Sequence, residues 1–171
     1  MSSGQLLLLR HAQAATYGPQ EQGDRGRPLT ALGLQQASLI GQQIARLDLP
    51  RPFQVLCSPA LRTRQTTRNI LTSLSDRPSV MIEDSLYSAT PDDLYNLIHG
   101  TPDTIRTLMI VGHNPALGNL IHDLLGAART ETRFSALANG YPIAALTIFD
   151  IAREWMDARP STIRPARVLL P

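Results

Sequence analysis

Residues 6–9 are four consecutive leucines, and they run directly into Arg10 and His11. An apolar run this short, with no polar face, fits a strand buried on both sides, the kind found in a parallel sheet covered by helices. A chain with such a strand must supply helices for both faces, which directs the reading towards an α/β fold. The run ends by presenting a guanidinium beside an imidazole, two groups that water suits better than a core. In open parallel sheets, ligands collect beyond the carboxyl ends of the strands, so Arg10 and His11 stand where a site is expected.

The rest of the chain keeps the alternation. Residues 17–30, polar with Gly and Pro, predict a loop; behind it Leu34, Ala37, Ile40, Ile44 and Leu47 recur at helical spacing, with Thr30 placed to cap. Further strands are expected at 53–57 (FQVLC), 79–83 (SVMIE), 107–112 (TLMIVG) and 144–150 (AALTIFD), with a last short one around 168–170. Helices are expected from Pro59 to about Leu74, from Pro91 to Ile98 and from Pro115 to Leu125. The implied architecture is a three-layer α/β/α sandwich with an open, mostly parallel sheet and an antiparallel edge. The 171 residues suit one domain spanning 1–171. No run approaches the length of a membrane span, and the N-terminus lacks the basic residue that precedes the apolar run of a signal peptide. With a single cysteine, Cys57, the expectation is a cytoplasmic protein with no membrane association.

All 16 basic residues are arginine, which excludes Schiff-base and P-loop lysines. The arginines are scattered and aromatics make up only 5%, so a nucleic-acid surface is not expected. Three strand-to-helix junctions share one grammar: Ser58-Pro59, Thr90-Pro91 and Asn114-Pro115 each set a capping residue before proline. Arg62 follows the first within a turn, and His113 immediately precedes the third. Arg10, His11, Arg62 and His113 then converge at one end of the sheet. Two arginines and two histidines in an empty low-dielectric cleft repel, and a phosphoryl dianion relieves that repulsion.

The segments LLLLRHA, RPLTALGLQQA, SPALRTRQT and VGHNP, in this order, resemble the histidine phosphatase superfamily, also called the phosphoglycerate mutase-like fold. Within it the chain is most similar to the small phosphohistidine phosphatases of the SixA type, where alanine is frequent at the position of Ala12. The resemblance implies that His11 is the nucleophile, that Arg10 and Arg62 clamp the phosphate oxygens, and that His113 donates to the same group. It also implies phosphate or substrate contacts for Arg27 and Asn114. Attack needs a neutral imidazole, and Arg10 and Arg62 should hold His11 neutral at pH 7. Neither phosphoryl transfer nor hydrolysis of the intermediate needs a cofactor or a metal.

Ester-cleaving relatives carry a general acid because an alkoxide leaves poorly without a proton. The candidates here are Asp92 first, with Asp93 beside it, or Glu83 and Asp84 just before; acids at 92 and 93 also suit the dipole of a helix start. An uncertain acid and a chain too short for a covering lid favour phosphohistidine on a phosphotransfer or phosphocarrier domain as substrate. The alternatives are small phosphomonoesters on the same site, or a catalytically weak phosphate-binding module. His99, His122, Cys57, Trp155, Tyr141, Arg64 and Arg68 are read as packing, helix-end or solvent-facing residues.

Overall fold

The computed structural model describes residues 4–171. The leucine run is strand β1 (Gly4–Arg10), and Leu6 to Leu9 are all fully buried. Their side chains alternate between two cores, as the period of a strand requires. Leu6 and Leu8 pack with Leu108, Ile110, Leu120 and Ile121, whereas Leu7 and Leu9 pack with Met109, Val111, Ile40 and Ile70. Burying a leucine side chain stabilises by about 2 kcal/mol, so this one strand anchors both layers.

The first face is covered by α3 (Pro91–His99) and α4 (Ala116–Leu125). The second is covered by α1 (Ala31–Ala45) and α2 (Leu61–Leu71). With β2 (Phe53–Cys57), β3 (Ser79–Ile82), β4 (Thr107–Gly112), β5 (Leu146–Ile151) and β6 (Ile163–Leu169), the sheet order is β3-β2-β4-β1-β5-β6. Pairs β2–β3, β2–β4 and β1–β4 are parallel; β1–β5 and β5–β6 are antiparallel. The expected sandwich with its antiparallel edge is what the chain forms. The final strand is longer than its apolar tail suggested. It runs through Pro165, which is tolerated on an edge strand and lies at the register shift beside Phe149.

The strand order sets up the site. The ends of β2, β4 and β1 lie side by side, so Ser58, His113 and His11 leave three adjacent strands at the same edge. Thr30 caps α1 as expected, its hydroxyl accepting from Gly33 N–H at 3.0 Å. Gly33 is also where that helix meets the chain just after His11: a β-carbon there would lie 2.1 Å from the carbonyl oxygen of Gln13.

The shared junction grammar needs correction. Only Thr90 behaves as proposed, in a reciprocal capping box with Asp93. Ser58 does not cap α2, which starts at Leu61 with Ala60 before it and no side-chain cap. Asn114 does not cap α4 either, because Pro115 occupies the cap position and the Asn114 amide is turned elsewhere. In both cases a tertiary partner takes the polar side chain that local sequence assigned to a helix end.

Candidate active site

His11 follows directly on β1, and its partly buried ring is fixed by the backbone. Nδ1 lies 2.8 Å from the carbonyl oxygen of Ala12. A carbonyl can only accept, so Nδ1 carries the proton and Nε2 keeps the lone pair in the neutral ring. Burial pushes the His11 pKa down to about 4, with Arg62, Arg10 and Arg27 contributing in that order. The motifs predict the direction and the arginines; desolvation is the larger cause. Ala12 is fully buried in a small apolar cluster with Leu29, Ala37 and Ala144, which gives its methyl a place. Its N–H bonds Thr66 Oγ1 on α2 at 3.0 Å. On the other side Ala144, whose φ of +57° is unfavourable for an L residue, donates its N–H to the carbonyl of His11 at 3.1 Å.

His113 stands next to His11, with ring centroids 5.3 Å apart. The hydroxyl of Ser58, itself fully buried, lies 2.7 Å from Nε2 of His113. Burial, with Arg62 and His11 behind it, lowers the His113 pKa to about 3. Both histidines therefore have folded pKa values below the ordinary 6.5, and the sign of the linkage follows. Their contribution to stability is complete above about pH 6.5 and declines as pH falls through the folded values, because the unfolded chain binds protons that the folded one refuses. In an NMR titration of the folded protein, both imidazoles are expected to remain neutral down to about pH 5. A ring titrating near 6.5 contradicts this environment.

The arginines come from three different segments. Arg10 donates from Nη1 to the carbonyl of Tyr141 at 2.7 Å, and the Asn114 amide donates to the same oxygen at 3.0 Å. Arg62 is 5% exposed, in the first turn of α2. Arg27 holds the carbonyl of Ala15 at 3.1 Å through Nη1. Arg10 Nε, Arg62 Nε and His113 Nδ1 are buried with no hydrogen-bond partner among the described residues. Buried nitrogens in that condition are costly, and an anion among them would supply acceptors.

The sequence did not reveal Asp24. Its carboxylate bonds Arg27 at 2.8 Å, Arg62 at 3.0 Å and the Tyr87 hydroxyl at 2.7 Å. The Tyr87 bond, followed by the arginines, lowers its pKa to about 2 against some desolvation. Three guanidiniums acting on His11 and one carboxylate leave a net charge of +2, matching a phosphoryl dianion.

Asp92 sits elsewhere, exposed in the first turn of α3, and no hydrogen bond or ion pair involves its side chain among the described residues. Asp93 is committed to the cap of Thr90, and Glu83 to Ser85. Among the described residues no group of three or more His, Cys, Asp or Glu could hold a metal ion. His99 bonds the carbonyl of Ala158, His122 meets Arg129, and Trp155 is buried with its N–H on the carbonyl of Ile105. Tyr141 is a packing residue by its ring, whose hydroxyl bonds Leu8, but its carbonyl is the acceptor that orients Arg10.

Comparison with known proteins bears on the family and the fold. A profile of the histidine phosphatase superfamily (branch 1) matches residues 6–87. An uncharacterized protein of Mycobacterium tuberculosis (strain H37Rv) is 32% identical over 153 residues, spanning 89% of this chain and 92% of that protein. The structure of SixA from Agrobacterium tumefaciens, assigned as a phosphohistidine phosphatase, is similar at a TM-score of 0.81 and 28% identity, over 98% of each chain. A phosphoglycerate mutase from Plasmodium falciparum shares the fold, at a TM-score of 0.57 and 15% identity over 98% of this chain and 88% of that one. The profile match, the shared fold and a relative that spans nearly the whole length all point one way: this chain belongs to the histidine phosphatase superfamily.

Proposed function

We propose that the chain, acting as a single domain, removes phosphoryl groups from phosphohistidine on a protein through a covalent phospho-His11 intermediate. The observation that carries this reading is the neutral His11 ring with Nε2 uncommitted, set among Arg10, Arg27 and Arg62. Nε2 attacks phosphorus as the bond to the substrate's imidazole nitrogen breaks, and that imidazole, carrying a proton on its other ring nitrogen, departs neutral with the electron pair. Water then attacks phosphorus, releasing inorganic phosphate and restoring His11. The transition state is loose and spreads charge over three equatorial oxygens, so fixed cations give most of the stabilisation and no metal ion is required. Arg10 and Arg62 act on those oxygens, with Arg27 and Asn114 at the margin. His113, held by Ser58, donates from its remaining ring position.

Support for phosphohistidine comes from the acids. An alkyl ester needs a proton for its leaving oxygen, but Asp24, the carboxylate joined to this cluster, is held ionised. Asp92 remains a candidate only if the substrate brings its leaving group out to α3. Imidazole leaves with far less help than an alkoxide. The similarity to SixA points the same way. A cytoplasmic location fits the single cysteine, which is buried and free. No helix among the described residues is long and apolar enough to cross a membrane.

A substrate panel tests the reading. A phosphohistidine-bearing carrier protein is expected to turn over with a kcat/KM at least about 100-fold above that of alkyl phosphates such as sugar phosphates, the size of a missing general acid. Equal efficiency on the esters overturns the phosphohistidine assignment and leaves a general phosphomonoesterase.

A further inference from the structure

Asp24 belongs to none of the motifs, yet it is wired into the site by four hydrogen bonds. Oδ2 accepts from Arg62 Nη2 and from the Tyr87 hydroxyl, Oδ1 accepts from Arg27 Nε, and the main-chain carbonyl accepts from Arg62 Nη1 at 2.8 Å. The geometry points to Asp24 as the positioning residue of the phosphoryl clamp: it fixes the planes of Arg62 and Arg27 and stays off the substrate itself. The inference rests on the phosphatase reading given above.

A guanidinium carries its donors in a rigid fork, so two bonds from different nitrogens define its plane. Asp24 supplies both for Arg62. For Arg27 it supplies one, and the carbonyl of Ala15 supplies the other. What remains on Arg62 includes the buried Nε–H that has no partner among the described residues. The donors that meet substrate are thus those Asp24 leaves over.

Asp24 acts through the arginines for a simple reason. Its carboxylate already accepts three bonds, and an ionised carboxylate repels phosphoryl oxygens. The chain is bent to deliver it. Gly23, immediately before, has φ +53° and ψ −145°, a conformation that side chains other than glycine rarely adopt. That turn lets the carbonyl and the carboxylate of the next residue face the same guanidinium. Tyr87 extends the connection across the site, with Arg25 lying 4.2 Å over its ring and the imidazole of His113 5.8 Å away on an edge. One carboxylate therefore joins the loop after β1, helix α2 and the segment before α3.

The test compares wild type with Asp24→Asn on two substrates, a phosphohistidine-bearing carrier with a good leaving group and an alkyl phosphate with a poor one, with inorganic phosphate as inhibitor. Wild-type turnover is measured first and tests the phosphatase reading by itself. Given turnover, Asp24→Asn is expected to lower kcat by about 10- to 100-fold on both substrates alike, the scale of lost orientation. The inhibition constant for phosphate should hold or fall, since one negative charge has left the site. Gly23→Ala, where the added methyl meets nothing within 4 Å, keeps the charge but disturbs the turn and should lower kcat in the same direction. A loss confined to the alkyl phosphate overturns the inference, because it makes Asp24 a proton donor. Unchanged kcat overturns it too, whether phosphate inhibition is unaltered or weakened.

Discussion

The His11→Ala protein is expected to fold, to bind inorganic phosphate, and to turn over substrate at least about 10⁴-fold more slowly than wild type, the scale seen when a covalent nucleophile is removed. The fold survives because the ring is only partly buried and its one protein bond, to the carbonyl of Ala12, is worth about 1 kcal/mol. Phosphate binding survives because Arg10, Arg27 and Arg62 keep their own partners, namely the carbonyls of Tyr141 and Ala15 and the carboxylate of Asp24. Binding and chemistry thus separate in one variant. A protein that loses phosphate affinity as well as turnover would mean that the ring props up the cluster instead of attacking from it.

The second large effect is expected at Arg62. Replacing it with lysine retains the charge but removes the planar fork, so one ammonium cannot both hold the two oxygens of Asp24 and meet an equatorial phosphoryl oxygen. The expected loss in kcat is about 10²- to 10³-fold, as for removal of one oriented donor from a site that stabilises developing charge. Arg62→Ala should cost more and also raise KM, since a buried cation disappears and leaves Asp24 with only Arg27 and Tyr87. Equal activity of the lysine variant would show that charge alone matters. Measuring kcat and KM separately for both variants decides between these.

How much of this was legible in the sequence depended on what each residue does. Arg10, His11, Arg62 and His113 could be read because LLLLRHA, SPALRTRQT and VGHNP, taken together and in order, set them at or just beyond the ends of apolar strands. The sheet order could not be read, since periodicity says that a strand exists but not which strand it pairs with; it is the order β2-β4-β1 that brings the four together. Ser58 was visible but misassigned, because a serine before proline looks the same whether it caps a helix or holds an imidazole. Asn114 was misread as a cap for the same reason. Asp24 gave no signal, lying in a polar stretch without periodicity where any acid looks solvated. Tyr141 could give none, because a main-chain carbonyl is common to every residue.

The histidine pKa values show a different kind of gap. The arginines around His11 could be anticipated from the motifs, but the larger cause is burial, which needs coordinates. The two agree in direction, and together they keep the His11 ring neutral through the physiological range.

The central claim is that Nε2 of His11 takes the phosphoryl group. Wild-type protein quenched during turnover and mapped by mass spectrometry and phosphorus NMR is expected to carry an acid-labile phosphoryl group on that nitrogen. A steady-state phosphoenzyme on any other residue, or turnover with no phosphoenzyme trapped even from a substrate that transfers faster than the intermediate hydrolyses, contradicts the account.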